Sequence, residues 1–462
     1  MKLLQTRKIC QGNTEMIRMA KNICTLMSVG VLLSITVSVC HAGDWPRFRG
    51  PNGSGIAADD AKTLAEWSPT KNLKWKTELP GSGVSCPIVV GERVFVTSYS
   101  GYGLSRSEPG DPQNLKRHLL CFDRKNGKQL WEKTVPAVLP EDLYTGMGVP
   151  VHGYASHTPV SDGKNVYVFF GKSGALAFDL QGNQLWQTGV GTNSDPKRWG
   201  SASSPIVVDD TLVVTAGPEG RAVVGLDKKT GKELWKAESS GLGDVWGTPI
   251  VTPGEDDRTD IVIGAPYEIW GINAATGKLC WFCEAIPSDS FSSSVVFAEG
   301  SIFGITGRSG GSIAVKAGGS GDVSAANVVW SGRDRNRYCT PVVYEGRLYY
   351  MSSGIVTCLN ATTGEEIFKS RLGGGEVAEE SSFGFGGGRG RGADYSSPVL
   401  ADGKIYYVAA NGLTYVMKAS DTYEPLAVNR VTEDDETFNA TPAISNGDLF
   451  LRSDKYLYCV GE

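Results

Sequence analysis

Four aromatic residues, Trp246, Phe291, Tyr338 and Tyr395, stand three positions before a recurrent proline slot. Arg337 and Asp394 directly precede two of them, and Asn439 holds the same position in the last copy of the pattern. Rings on neighbouring units, with a cation, a carboxylate and an amide beside them, suit a flat cofactor, an aromatic compound or a sugar. The competing reading is that the rings plug a wide channel and bind nothing. We take these seven residues as candidates for ligand or partner binding. No residue is assigned as catalytic and none as a metal ligand.

Other chemistry-bearing groups form weaker patterns. Glu433-Asp434-Asp435-Glu436 offers oxygens to Ca2+ but lacks the alternating spacing of a calcium loop, and reads first as a solvated loop. His152 and His157 share a loop without a third ligand. Cys280 and Cys283 flank Trp281-Phe282 with no second pair, and the absence of Cys-x-x-Cys-His excludes attached c-type haem. The segment 384–392, with Arg389 and Arg391, has the form of an RGG stretch; in an acidic chain it reads as a lid or linker rather than an RNA contact. Neither a serine-hydrolase elbow nor a phosphate loop occurs.

The elements that must carry the aromatic position repeat. A small or polar residue, Pro, an apolar run, a short Asp/Gly turn, an alternating apolar strand and a terminal Leu-Trp recur along the chain. The slot is filled by Pro87, Pro159, Pro205, Pro249, Pro341, Pro398 and Pro442, with Ser294 in a degenerate fifth copy. The spacings of 72, 46, 44, 45, 47, 57 and 44 residues give a unit of about 45 residues with two insertions, the period of four-stranded propeller blades. Val94-Phe95-Val96 and Ile405-Tyr406-Tyr407-Val408 suit central strands, and Asp402-Gly403 and Asn446-Gly447 suit tight hairpins. Trp131, Trp186, Trp235, Trp281 and Trp330 close their units, as inter-blade core. Cys121, Cys358 and Cys459 share one repeat position and read as small buried residues.

The expected fold is therefore all-β: a β-propeller of eight four-stranded blades, or seven if the fifth copy is misread. The last copy stops after its third strand, while 73–77 reads as an outer strand with no inner strands before it. That N-terminal strand should close the ring and remove two exposed sheet edges. Long insertions at 99–116, 135–156, 189–202 and 373–395 build up one face, the expected place for a ligand or partner.

At the N-terminus, Arg18 and Lys21, the apolar run 23–39 and a small-residue exit at 40–42 describe a signal peptide over 1–42, with a retained anchor or lipidation at Cys40 as alternatives. Residues 43–70 read as a lead-in segment and 71–462 as the propeller. Beyond residue 42 the chain carries 40 basic and 49 acidic side chains, which argues against a nucleic-acid partner.

The block Ala222-Val223-Val224-Gly225-Leu226-Asp227 with Thr230-Gly231-Lys232-Glu233-Leu234-Trp235 resembles the pyrroloquinoline-quinone (PQQ) repeat. That repeat is shared by quinoprotein alcohol dehydrogenases and by the propeller lipoprotein that assists outer-membrane protein assembly. The opening Trp45-Pro46-Arg47-Phe48-Arg49-Gly50-Pro51 is similar to the start of exported PQQ-like proteins. The resemblance covers about 70–462 and implies two functions. One is a non-catalytic binding or scaffold protein of the periplasm or cell envelope, with a protein partner or small ligand on the loop-rich face. The other is a dehydrogenase using PQQ and Ca2+. The adjacent cysteine pair typical of those enzymes is absent, and Trp246, Asp394 and Asn439 match no family motif.

Overall fold

In the blades, β-branched and aromatic residues form the two central strands, buried on both faces, and polar residues alternate along the outermost one. In blade 3, Thr211–Ala216 and Ala222–Asp227 are almost wholly buried while Glu233–Glu238 buries chiefly Trp235. The pattern recurs eight times. A computed structural model describes residues 43–58, 61–146, 148–307, 310–336, 338–373 and 395–462. It is an eight-bladed all-β propeller whose blades are antiparallel meanders, with innermost strands running from Ile88–Val90 in blade 1 to Ala443–Ser445 in blade 8. The segment 1–42, Arg337, Asp394 and the RGG-like stretch lie outside the described residues. Among those described, no helix is long and apolar enough to cross a membrane.

Blade-to-blade contact rests on the terminal tryptophans. Trp131 donates its indole N–H to the Leu180 carbonyl of the next blade (3.1 Å), Trp186 to Lys228 (3.0 Å), Trp235 to Ala274 (3.0 Å) and Trp330 to Ala361 (2.8 Å). Each ring lies over a turn glycine of that next blade. Gly231, at φ +72°, is the clearest case, since an added Cβ would sit 2.6 Å from the Trp186 ring. The expected burial of Cys121, Cys358 and Cys459 also holds, as free thiols within separate blades.

Ring closure occurs as expected. Leu73–Glu78 pairs antiparallel with Tyr456–Val460, and Trp75 bonds the Arg124 carbonyl of blade 1 as the other tryptophans bond their neighbours (2.9 Å).

Two departures concern the fifth copy. Ser294 occupies the position before the proline slot, as Thr248 and Thr340 do in the adjacent blades, so the slot residue is Val295. The fifth blade also lacks the Thr-Gly-type turn, and Gly321–Asp322 instead pairs with Leu279–Glu284 as a fifth strand of blade 4. Trp281 then has no next-blade carbonyl to reach. Its indole donates to Asp260 in its own blade (2.9 Å), and Arg258 holds that carboxylate at 2.6 Å.

The lead-in is more than a tail. Trp45 forms a two-way backbone bridge with Val89 of blade 1, and Ser161 of blade 2 donates to the Pro46 carbonyl. Arg47 donates to the Pro249 carbonyl of blade 4 (3.0 Å). Arg49 donates to the carbonyls of Pro341 in blade 6 (2.5 Å) and Pro398 in blade 7 (2.9 Å), and Ala57 bonds Leu400 of blade 7. The segment thus spans the ring across the channel.

Candidate functional site

The residue before each proline slot is small and polar, and the structure gives a reason. Cys86 donates its backbone N–H to Thr158 Oγ1, Thr158 to Ser204 Oγ, Ser204 to Thr248 Oγ1 and Thr248 to Ser294 Oγ. Ser294 continues to Thr340, Thr340 to Ser397 and Ser397 to Thr441. These bonds measure 2.8–3.1 Å. Thr441 closes the circle by donating to Cys86 Sγ at 3.2 Å. One hydrogen bond per blade interface thus makes a continuous belt, and it pairs backbone N–H groups that would otherwise be orphaned beside the channel.

The belt encloses a cavity of about 170 Å3. Phe48 of the lead-in segment lies in its wall, so the Trp-Pro-Arg-Phe-Arg motif occupies the channel. The opposite rim is aromatic. Trp246 packs on Trp199 at 5.8 Å between centroids, and Tyr338 on Tyr395 at 4.4 Å. Trp246 donates its indole N–H to the Gly200 carbonyl (2.7 Å), and His152 Nε2 lies 2.5 Å from the Trp199 carbonyl. Burial holds the His152 pKa below its ordinary value, so the ring is neutral near pH 7. Its Nε2–H then donates to Trp199, and Nδ1 accepts from the Ser156 hydroxyl at 2.6 Å. Both bonds fix the loop that presents Trp199.

Of the seven candidate residues, the structure brings Trp246, Tyr338, Tyr395 and Asn439 to this cavity. Phe291 is not there. It is 1% exposed in the core between blades 4 and 5, and Ser292 takes the lining position. The cause is the one-residue slip of the fifth copy. Arg337 and Asp394 lie outside the described residues. Sequence reasoning missed Trp199 and weighed His152 only as a metal ligand; both sit on insertions without a repeat position to mark them. It also passed over the belt, although a small polar residue before each slot was its signal.

Behind the rim lies a buried polar cluster. His157 Nε2 is 2.9 Å from Ser201 Oγ, and Ser201 also bonds Glu219. Burial, then the Arg117 charge, pushes the His157 pKa down to about 3; burial, aided by Asp142 and Glu141, pushes Glu219 up to about 7. The described lining contains no Asp or Glu, and no group of three His, Cys, Asp or Glu among the described residues could hold a metal. Calcium takes six to eight oxygens, carboxylates among them, so these residues do not fit it.

The family model described as "Outer membrane protein assembly factor BamB" matches residues 43–219, 113–317 and 219–461. A polyvinylalcohol dehydrogenase from Pseudomonas sp is 23% identical over 290 residues, covering 53% of this chain and 39% of that protein. The matched part thus spans well under half of that relative's length. Among solved structures, BamB from Moraxella catarrhalis has a TM-score of 0.56 at 12% identity, covering 84% of this chain and 98% of its own. A quinohemoprotein alcohol dehydrogenase from Comamonas testosteroni has a TM-score of 0.59 at 12% identity, covering 96% and 84%. At such identity these two likenesses concern the fold alone.

Proposed function

Because this chain belongs to the PQQ-repeat family whose model is described as outer membrane protein assembly factor BamB, we propose that it is a non-catalytic binding propeller of the cell envelope. It holds a small ligand, or a side chain of a protein partner, in the channel mouth. The observation that carries this reading is an aromatic rim set over a cavity whose described lining has no carboxylate. Rings bind, and the His152 ring beside them has both nitrogens engaged, by the Trp199 carbonyl and the Ser156 hydroxyl, which leaves neither free to take a substrate proton. Export through the segment 1–42 places the protein in the periplasm or envelope, and N-terminal sequencing should find the mature chain starting near Gly43.

The alternative, a PQQ- and calcium-dependent alcohol dehydrogenase, draws on the match to polyvinylalcohol dehydrogenase. Bound quinone would supply an acceptor for hydride from an alcohol. One experiment separates the two. The mature protein is incubated with PQQ and Ca2+, desalted, and its absorbance recorded. Loss of the quinone band on desalting is the expected result. A retained stoichiometric band, with alcohol-dependent reduction, would replace the binding reading by the enzymatic one.

A further inference from the structure

Three arginines are buried around the belt, and none has an ion pair among the described residues. Arg49 is 1% exposed and Arg452 1%, with Arg47 at 6%. Each is bonded to the belt or its immediate neighbours. Arg49 Nη1 donates to the carbonyl of Thr340, itself a belt residue (3.3 Å), and to Pro398 (2.9 Å). Arg47 Nη2 donates to Pro249, next to belt residue Thr248 (3.0 Å). Arg452 Nη1 donates to the carbonyl of Ser85 (2.8 Å) and to its hydroxyl, between the lining residues Val84 and Cys86. The Nε atoms of all three, and Nη2 of Arg452, have no hydrogen-bond partner among the described residues. The carboxylate whose field reaches Arg452 is Asp454, which accepts a bond from Thr437 and makes no ion pair with it.

Carbonyl dipoles solvate these cations but cancel no net charge. Burial pulls each guanidinium down to about 10, which leaves it protonated at neutral pH. Three guanidinium charges, of which only Arg452 feels a carboxylate (Asp454), bias the potential of a cavity with no carboxylate in its described lining towards positive, and low-dielectric walls focus that field. The belt adds donors. Each Ser or Thr hydroxyl accepts an N–H from the neighbouring blade and carries a proton of its own, which Thr158 and Thr441 direct at the Cys86 sulfur. A cavity of about 150 Å3 is known to take one benzene ring, so about 170 Å3 suits one six-membered ring and a small head group.

We propose that the channel is a receptor site for a small organic anion: a single-ring carboxylate, its head drawn towards the belt and its ring held by Trp246, Trp199, Tyr338 and Tyr395. This rests on the binding reading above and names its ligand class.

The test uses three probes of nearly equal shape, benzoate, benzamide and benzylammonium, titrated into the mature protein at low salt. Binding is read by indole fluorescence and by calorimetry. Benzoate should bind roughly tenfold or more tighter than benzamide, benzylammonium should bind least, and added salt should narrow the gap. Trp246→Ala, checked as folded by its melt, should lose benzoate binding. Equal affinity for benzoate and benzamide, or a preference for benzylammonium, would overturn the anion assignment while leaving a neutral-ligand site standing. Benzoate binding unchanged in Trp246→Ala would overturn the location. No binding of any probe at millimolar concentration would overturn the assignment and count against the binding reading too.

Discussion

Two tryptophans with indole bonds of similar length have different surroundings. Trp235 is buried between blades, whereas Trp246 is half-buried at the rim and holds Gly200. Trp235→Ala should lower stability by about 3–5 kcal/mol in thermal or denaturant melts, and Trp246→Ala by clearly less. A ligand that stacks at the rim should lose roughly 1–3 kcal/mol of affinity in the second variant, read by titration. Equal destabilisation with untouched binding would reduce the rim to a plug. Cys86 offers a second comparison. Cys86→Ser keeps an acceptor for the Thr441 N–H and should be near neutral, while Cys86→Val leaves that buried donor unpaired at about 1–3 kcal/mol. Glu219 gives a pH dependence. Its folded pKa of about 7 lies above the ordinary 4.5, so the folded chain holds a proton that the unfolded chain releases between those values. That contribution is full below about pH 4.5 and is lost as pH rises through about 7. Glu219→Gln should therefore gain on the native protein between pH 5 and pH 8, by on the order of 2–3 kcal/mol, in paired melts. A pH-independent difference would place the titration elsewhere.

At the scale of the blade, the repeat was legible because three physical needs recur at fixed offsets: a buried strand pair, a turn with positive φ, and a ring to seal the interface. Trp186 over Gly231 is one instance, and Gly231→Ala should cost more than about 1 kcal/mol, since the new Cβ meets the ring and the backbone keeps φ +72°. The melt of that variant against Gly163→Ala, where nothing lies within 4 Å of an added Cβ, isolates the ring contact. Where a blade lost one of those needs, the pattern misled. The fifth copy has neither the proline nor the turn glycine, so its register slipped by one residue and Phe291 was placed in the mouth instead of Ser292. A one-residue slip in a strand exchanges its two faces, which is why a core ring passed for a ligand contact. The rim positions of Trp199 and His152 were illegible for a different reason. They reach the rim from insertions, whose paths no period constrains.

The whole ring was legible in number and in its mode of closure, because a strand missing at one end matched a strand surplus at the other. Deleting 43–80 should expose the Tyr456–Val460 edge and open the channel, so the truncated protein should aggregate in sedimentation or light scattering. A monomer with an unchanged melting temperature would show that another segment closes blade 8. What the sequence did not reveal is that the lead-in is braced inside the channel, since Arg47 and Arg49 bond backbone carbonyls that no residue pattern advertises. That bracing sets a load path. The ladder Leu73↔Val460 to Glu78↔Tyr456 has both chain ends leaving from its Leu73↔Val460 side, so a direct pull on them would peel it one bond at a time, the weakest way to strain a sheet. Tension applied ahead of Trp45 meets the bridge to Val89 and the guanidinium clamps first. It is shared among blades 1, 2, 4, 6 and 7 in parallel, and the peeling joint is shielded until those anchors yield.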